Sequence, residues 1–129
     1  MILLDTCVII WDALAPGRLT PKARAIIENS EGELMICDIS LWEISMLIEK
    51  GRLVVDDTTS RFMNLLIECR HFHIQGITPE IAELSVNLGS DINNDPADRL
   101  IAASSILMNA PLLTADRNLR DAAILETIW

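Results

Sequence analysis

The sequence predicts a three-layer α/β/α fold with a central parallel sheet. Short apolar runs that are typical of strands alternate with longer amphipathic runs that are typical of helices. The apolar runs lack the strict alternation of a half-exposed strand, which indicates a sheet covered on both faces. The length of 129 residues, half of them hydrophobic, suits a single domain over residues 1–129.

In the first half of the chain, two predicted strands alternate with three predicted helices. The strands lie at 2–4 and 34–37, and the helices lie at 7–14, 20–32 and 40–51. Asp5 ends the first apolar run. The second helix begins with Thr20 as its N-cap, followed by a proline at the first helical position, and Gly32 ends it. The third begins with the capping-box pattern Ser40-Leu41-Trp42-Glu43 and stops at Gly51.

The second half of the chain continues the same alternation. The strands lie at 72–75, 112–114 and 124–128, the helices at 59–69, 78–89 and 95–109, and a turn at 116–121. The helix at 59–69 has its apolar residues at helical spacing. Thr78 precedes a proline just as Thr20 does, and Gly89 closes that helix. Asp95-Pro96 opens the next helix, and Pro111 leads into the fourth strand.

The composition and charge exclude several classes of protein. No apolar run approaches the ~18 uncharged residues of a membrane span. Asp5 follows the apolar start at once with no basic residue before it, so we expect no signal peptide. An odd number of cysteines predicts reduced core thiols in a cytoplasmic protein, and these are Cys7, Cys37 and Cys69. The net charge of -9 argues against a simple electrostatic nucleic-acid binder.

Four acidic residues are predicted to meet at one edge of the sheet, because functional groups collect beyond the carboxyl ends of parallel strands. Asp5 directly follows the first strand, and Glu43 lies in the first turn of the helix after the second strand. Asp116 lies two residues beyond the fourth strand, and Asp98 lies in the first turn of its helix. Singly, the last three are also explained as helix caps. Asp5 is harder to explain in this way, since a carboxylate that ends a buried strand needs a charged partner or a metal.

A set of ligands made only of carboxylates indicates a hard divalent cation. Mg²⁺ fits best, because it accepts a few carboxylates, keeps several waters and leaves positions for substrate phosphates. Such a site predicts metal-assisted hydrolysis of a phosphodiester, with either one ion or two. Read in this way, the acidic excess is a sign of the chemistry and does not exclude a nucleic-acid substrate.

Three other kinds of site fit the sequence poorly. A phosphatase of the haloacid-dehalogenase type needs a second aspartate where Cys7 stands. A response-regulator receiver needs a lysine late in the chain, and the only lysines are Lys22 and Lys50. His71 and His73 are predicted on one face of a strand, but the cysteines lack the spacing that a zinc site with them would need.

Six segments in order resemble the PIN-domain nucleases, and more closely the VapC-type toxins of bacterial toxin–antitoxin pairs. They are LLDTCVIIW, SLWEISMLIEKGRL, ITPEIAELS, DPADRLIAAS, LLTADRNL and the terminal TIW. The resemblance implies a sheet in the order 3-2-1-4-5 and a Mg²⁺- or Mn²⁺-dependent ribonuclease. The family's acidic positions fall on Asp5, Glu43, Asp98 and Asp116. The resemblance further implies a homodimer and a cognate antitoxin that covers the site.

Several residues around the four acids are candidates for binding the substrate. Thr6 and Thr114 match small polar positions near the family's site, although ordinary cap or strand-end hydroxyls explain them equally well. Arg99 and Arg117 flank two of the proposed ligands and could reach RNA phosphates. The remaining cations are interpreted as solvated helix ends. Asn93-Asn94 stands where the family often carries a histidine.

An excess of apolar residues suggests a groove for a protein partner such as an antitoxin, although some of them belong to the core. The residues are Trp11, Leu14, Leu41, Trp42, Leu47 and Ile48. The leading hypothesis is a metal-dependent endoribonuclease toxin. A non-catalytic PIN-like interaction module and a housekeeping RNA-processing nuclease without an antitoxin are the alternatives.

Overall fold

Five parallel strands form a single sheet at the centre of the computed structural model, which describes residues 1–129. The strands are β1 (Ile2–Leu4), β2 (Leu34–Cys37), β3 (His73–Gln75), β4 (Leu112–Leu113) and β5 (Thr127–Ile128). Their order across the sheet is β3-β2-β1-β4-β5. In the register, Leu4 lies beside Ile36 of β2 and Leu113 of β4. β1 is therefore the central strand, with its carboxyl end in the middle of one sheet edge.

Seven helices surround the sheet. They are α1 (Thr6–Leu14), α2 (Pro21–Asn29), α3 (Asp38–Glu49), α4 (Thr59–Arg70), α5 (Pro79–Asn87), α6 (Pro96–Leu107) and α7 (Arg117–Asp121), with one 3₁₀ turn at Pro16–Arg18. The Thr-Pro pairs begin α2 and α5 as the sequence predicts. The hydroxyl oxygen of Thr20 accepts the amide of Ala23 at 3.0 Å, and that of Thr78 accepts the amide of Ile81 at 3.2 Å. None of the helices has the length and apolar character needed to span a bilayer.

Both faces of the sheet are apolar, which explains the three layers. Side chains alternate between the faces of a strand, so neighbours such as Leu3 and Leu4 pack into different cores. Leu3 joins a core with Ile101 of α6, whereas Leu4 joins a core with Ile9 of α1 and Ile44 of α3. The predicted three-layer class and the predicted strand order are therefore confirmed.

The structure corrects several local predictions, and the first is the turn at 116–121, where the short helix α7 lies with Asp116 as its N-cap. α3 begins at Asp38 rather than at Ser40, because β2 runs directly into the helix with Cys37 as its N-cap. His71 is the left-handed C-cap of α4, with φ 53°, so only His73 lies in a strand and the two histidines do not share a strand face. Strand β5 is shorter than predicted. Cys7 and Cys69 are exposed, and Cys37 alone is a core thiol.

Candidate active site

Asp5 lies at the carboxyl end of the central strand with both carboxylate oxygens hydrogen-bonded. It is 5% exposed. Its Oδ1 accepts the amide of Thr6 at 2.8 Å, which makes Asp5 the N-cap of α1. Its Oδ2 accepts the hydroxyl of Thr114 at 2.7 Å. The buried carboxylate is thus oriented by two predicted site residues, but it makes no ion pair with a lysine, arginine or histidine.

Glu43 reaches the same region from the second turn of α3. Its Oε1 accepts the hydroxyl of Thr6 at 2.5 Å, and the Thr6 oxygen lies 2.8 Å from the hydroxyl oxygen of Ser40. A hydroxyl has one proton to give, so Thr6 donates to Glu43 and accepts from Ser40. The expected capping-box role of Glu43 is wrong, because α3 starts five residues before it. Ser40 is fully buried, and its role in positioning Thr6 escaped the sequence analysis.

Asp98 lies in the first turn of α6 and is held by an asparagine that sequence reasoning did not select. Asn93 Nδ2 donates to Asp98 Oδ2 at 2.8 Å. The same amide nitrogen lies 3.1 Å from Asn118 Oδ1, which also accepts the Asn93 backbone amide at 2.9 Å. Asn93 therefore links α6 to α7 and orients Asp98. The only signal for it in the sequence was the position of the asparagine pair just before the helix.

Asp116 is both a helix cap and part of the acidic edge. Its Oδ1 accepts the amide of Leu119 at 3.0 Å, as expected of the N-cap of α7. Its own amide donates at 3.0 Å to the hydroxyl oxygen of Thr114, which in turn binds Asp5. One threonine thus connects two of the predicted acidic residues.

Burial, and to a smaller extent the charges of neighbouring acids, raises the pKa values of three of the acidic residues. Burial raises the pKa of Asp5, and the nearby charges of Asp116 and Asp95 raise it further, against the hydrogen bonds from its two threonines. Burial, with the charges of Asp95 and Asp5, also raises the pKa of Glu43. The pKa of Asp98 rises to about 6, through burial first and then through the charges of Asp5, Asp95 and Asp116. Asp95, the N-cap of α6, is therefore a fifth acid in this field.

This donor set fits a divalent cation in its chemistry. Carboxylates that repel one another in a partly buried site are neutralised by a hard cation, for which oxygen ligands are preferred. No three of the acidic side chains converge closely enough to hold one ion directly. An ion that keeps several of its waters, as Mg²⁺ does, suits this spacing better than a closed cage of protein ligands.

The two candidate arginines have different surroundings. Arg117 is exposed and makes no ion pair. The guanidinium of Arg99 instead donates to backbone carbonyls, with Nε bonded to Ser85 O at 2.8 Å and Nη1 to Ile92 O at 3.0 Å. It also donates to the carbonyl of Leu88. These bonds give Arg99 a structural role, and a contact between Arg99 and an RNA phosphate stays a prediction.

Comparison with known proteins agrees with this architecture. The family model described as the PIN domain matches residues 2–125. The chain belongs to the PIN-domain family. Ribonuclease VapC22 of Mycobacterium tuberculosis is 38% identical over 119 residues, which are 92% of this chain and 89% of that protein. This PIN domain is thus also related to the VapC-type ribonucleases.

Solved structures show that the PIN-domain fold extends over the whole chain. VapBC2 from Rickettsia felis, bound to a promoter DNA fragment, has a TM-score of 0.73 at 18% identity, over 99% of this chain and 98% of that one. A toxin–antitoxin complex from Klebsiella pneumoniae has a TM-score of 0.70 at 21% identity. FitAcB from Neisseria gonorrhoeae has a TM-score of 0.69 at 20% identity. The last two each cover 100% of this chain and 97% of their own.

The raised pKa of Asp98 predicts how the stability of the metal-free PIN domain depends on pH. In the folded state the carboxyl group of Asp98 keeps its proton up to about pH 6, whereas in the unfolded chain it releases the proton near pH 3.8. The contribution to stability is therefore full below pH 3.8 and is lost as the pH rises through about 6. Asp98→Asn avoids that loss. The measured quantity is the free energy of unfolding of Asp98→Asn minus that of the unmodified protein. This difference should increase by about 1–2 kcal/mol between pH 4.5 and 7.5, after allowance for solvent screening.

Urea unfolding in EDTA at the two pH values measures this difference. Asp56→Asn is the matched control, because Asp56 is an exposed loop residue. A difference between Asp98→Asn and the unmodified protein that stays constant with pH would contradict the prediction.

Proposed function

We propose that this PIN domain, formed by residues 1–129, is a Mg²⁺-dependent endoribonuclease and the toxin of a toxin–antitoxin pair, with Mn²⁺ as the alternative ion. The proposal is supported by the raised pKa values of Asp5, Glu43 and Asp98, which come from burial and from the charges of neighbouring acids; for Asp5 and Asp98 these include Asp116. The 38% identity to a ribonuclease supports RNA as the substrate.

In the proposed mechanism, Asp5, Glu43, Asp98 and Asp116 hold the ion, directly or through water. When bound, the divalent ion supplies a Lewis acid that activates water and neutralises charge on the phosphodiester. The chain's own groups keep the carboxylates in position. Thr114 holds Asp5 through Oδ2, and the single proton of the Thr6 hydroxyl is donated to Glu43. The threonines therefore position the carboxylates, and direct contact with RNA is not required of them.

The proposed partner is a cognate antitoxin that covers an apolar surface as well as the active site. Trp42 of α3 is 56% exposed, and Leu65 of α4 is 51% exposed. A groove of about 320 Å³ between α1 and α4 is lined mainly by apolar side chains, including Phe62 and Leu66. The similar solved structures include one described as a toxin–antitoxin complex, together with VapBC2 and FitAcB. A homodimer, which the family resemblance implies, and a cytoplasmic location, which the odd number of cysteines predicts, complete the proposal.

Removal of the metal tests the proposed chemistry. The purified protein should cleave single-stranded RNA in millimolar Mg²⁺ and should lose that activity in EDTA. Mg²⁺ should also raise the Tm more at pH 7.5 than at pH 5, because Asp98 must lose its proton to bind the ion. At 100 times its Kd the ion would add about 2.7 kcal/mol to the free energy of unfolding.

Two outcomes would favour the alternative functions. If no RNA is cleaved in Mg²⁺ or Mn²⁺, the domain is a non-catalytic interaction module. If this protein cleaves RNA and no antitoxin-like reading frame lies beside its gene, the housekeeping nuclease is favoured. Cleavage that persists in EDTA would contradict the metal-dependent mechanism.

A further inference from the structure

A positively lined pocket lies beside the acidic edge, outside the four-carboxylate site. Its volume is about 530 Å³. Lys22 of α2 and Arg117 and Arg120 of α7 supply its cations, while Asp121, Thr127 and Trp129 complete the lining. We call this the basic pocket. Three of the chain's ten Lys and Arg residues therefore line one cavity of a protein with a net charge of -9.

The cations of the basic pocket are free of protein partners. Neither Lys22, Arg117 nor Arg120 forms an ion pair, although the chain has 19 acidic residues. Their side chains also donate no hydrogen bond to another protein group, in contrast with Arg99. Asp121 is the single acidic side chain of the lining, so the lining side chains carry three positive charges and one negative charge.

Backbone connections place the basic pocket next to the proposed catalytic edge. Arg117 directly follows Asp116. Trp129 directly follows Ile128, whose carbonyl accepts the amide of Thr114 at 3.1 Å. Thr114 in turn holds Asp5. Neighbouring strands lie ~4.8 Å apart, and β5 is one strand from β4, which precedes Asp116, and two strands from β1, which precedes Asp5.

Aromatic packing gives the pocket a supported wall. The Trp129 ring lies 5.9 Å from that of Trp11, at an interplanar angle of 51°. The guanidinium carbon of Arg18 lies 4.4 Å from the centre of the Trp11 ring. These contacts connect the 3₁₀ turn and α1 to the end of β5, so the wall of the pocket is held by several elements.

We propose that the basic pocket binds a phosphate group of the RNA strand adjacent to the phosphodiester that is cleaved. The proposal rests on the proposed ribonuclease function and adds to it the path of the substrate. The acidic edge repels a polyanion, so an RNA strand needs compensating cations nearby, and phosphate contacts of this kind position a strand without reading its sequence. The pocket supplies these cations on the β5 side of the site.

The double variant Lys22→Gln/Arg120→Gln tests the basic pocket, since both side chains are exposed and their loss leaves the core intact. The KM for a single-stranded RNA oligonucleotide should rise about 10-fold with kcat within about twofold, because the removed contacts lie away from the reacting phosphate. The slope of log affinity against log salt should fall by about 1.4, which is 0.7 for each lost contact to a single strand.

Two further variants make the test specific. Arg61→Gln removes one exposed cation from α4, where it pairs with Asp57, and it should leave KM unchanged. Asp121→Asn removes the acid from the pocket and should lower KM. A fall in kcat alone, or an unchanged KM and salt slope in the double variant, would overturn the proposal.

Binding of a fluorescent RNA in EDTA, measured by anisotropy, separates this proposal from the proposed function. If the unmodified protein cleaves RNA but the pocket variants bind it normally, only the phosphate site is wrong. If no RNA is cleaved but binding still depends on Lys22 and Arg120, the ribonuclease function is wrong and the pocket is retained. An oligoglutamate peptide serves as the probe for the other ligand class. If its binding depends on Lys22 and Arg120 while the double variant binds RNA with unchanged affinity, the pocket is assigned to an acidic protein segment and the proposal is overturned.

Discussion

Replacing Asp5 with asparagine is expected to lower RNA cleavage by at least about 100-fold while the PIN domain stays folded. The substitution removes one charge from the centre of the acidic edge and leaves the size of the side chain unchanged. The remaining oxygen can still accept the amide of Thr6, whereas the new amide nitrogen faces the Thr114 hydroxyl and cannot accept from it. The affinity for Mg²⁺ should therefore fall together with activity.

The same variant should be at least as stable as the unmodified protein when metal is absent. Burial raises the pKa of Asp5, so its ionised form destabilises the folded state near neutral pH, and asparagine removes that charge. Cleavage assays and thermal unfolding in EDTA measure the two effects separately. Asp56→Asn, a neutralisation in an exposed loop, should alter neither. Full activity of Asp5→Asn would disprove the assignment of the metal site.

Replacing Arg99 with methionine is expected to lower the free energy of unfolding by about 2–4 kcal/mol, which is a large effect for one partly exposed residue. Five backbone carbonyls accept from its guanidinium, and they belong to Ser85, Leu88, Gly89, Ile92 and Asn93. Methionine has a similar apolar stem but no donor, so these carbonyls lose a charged partner.

Urea unfolding of three variants tests the role of Arg99. Arg99→Lys should restore little, because a single ammonium cannot reproduce the planar fork of donors. Arg61→Met, which breaks only an exposed ion pair, should change stability by less than about 1 kcal/mol. If Arg99→Met is as stable as the unmodified protein but binds RNA weakly, the result would contradict the structural role and support a contact between Arg99 and an RNA phosphate.

The fold was predictable because its strongest signals are local. Thr20 and Thr78 each bond to an amide three residues ahead, so a short segment is enough to identify the start of the helix. The strands are short, continuously apolar runs, and this pattern indicates a sheet covered on both faces. The start of α3 was misplaced because Ser40 and Glu43 have the spacing of a capping box, yet their hydroxyl and carboxylate both turn towards Thr6.

The candidate acids and the two threonines that hold Asp5 and Glu43 could be selected from the chain, but Ser40, Asn93 and Asn118 could not. Ser40 contacts Thr6 across 34 positions of sequence, and Asn118 contacts Asn93 across 25. Such bonds depend on how the helices pack, which no local pattern encodes. Arg99 shows the same limit, since an arginine beside an acid has the same sequence signature whether it faces the substrate or a loop of carbonyls.

The bond from Thr114 to Asp5 has a consequence for when the domain becomes active during its synthesis. The two residues are separated by 109 positions, so the first residue of the site is made long before the partner that holds it. Until β4 has emerged from the ribosome and paired with β1, Asp5 lacks Thr114, and Asp116 does not yet exist. A nascent chain therefore has an incomplete acidic site until its last segment has been made and has folded onto β1.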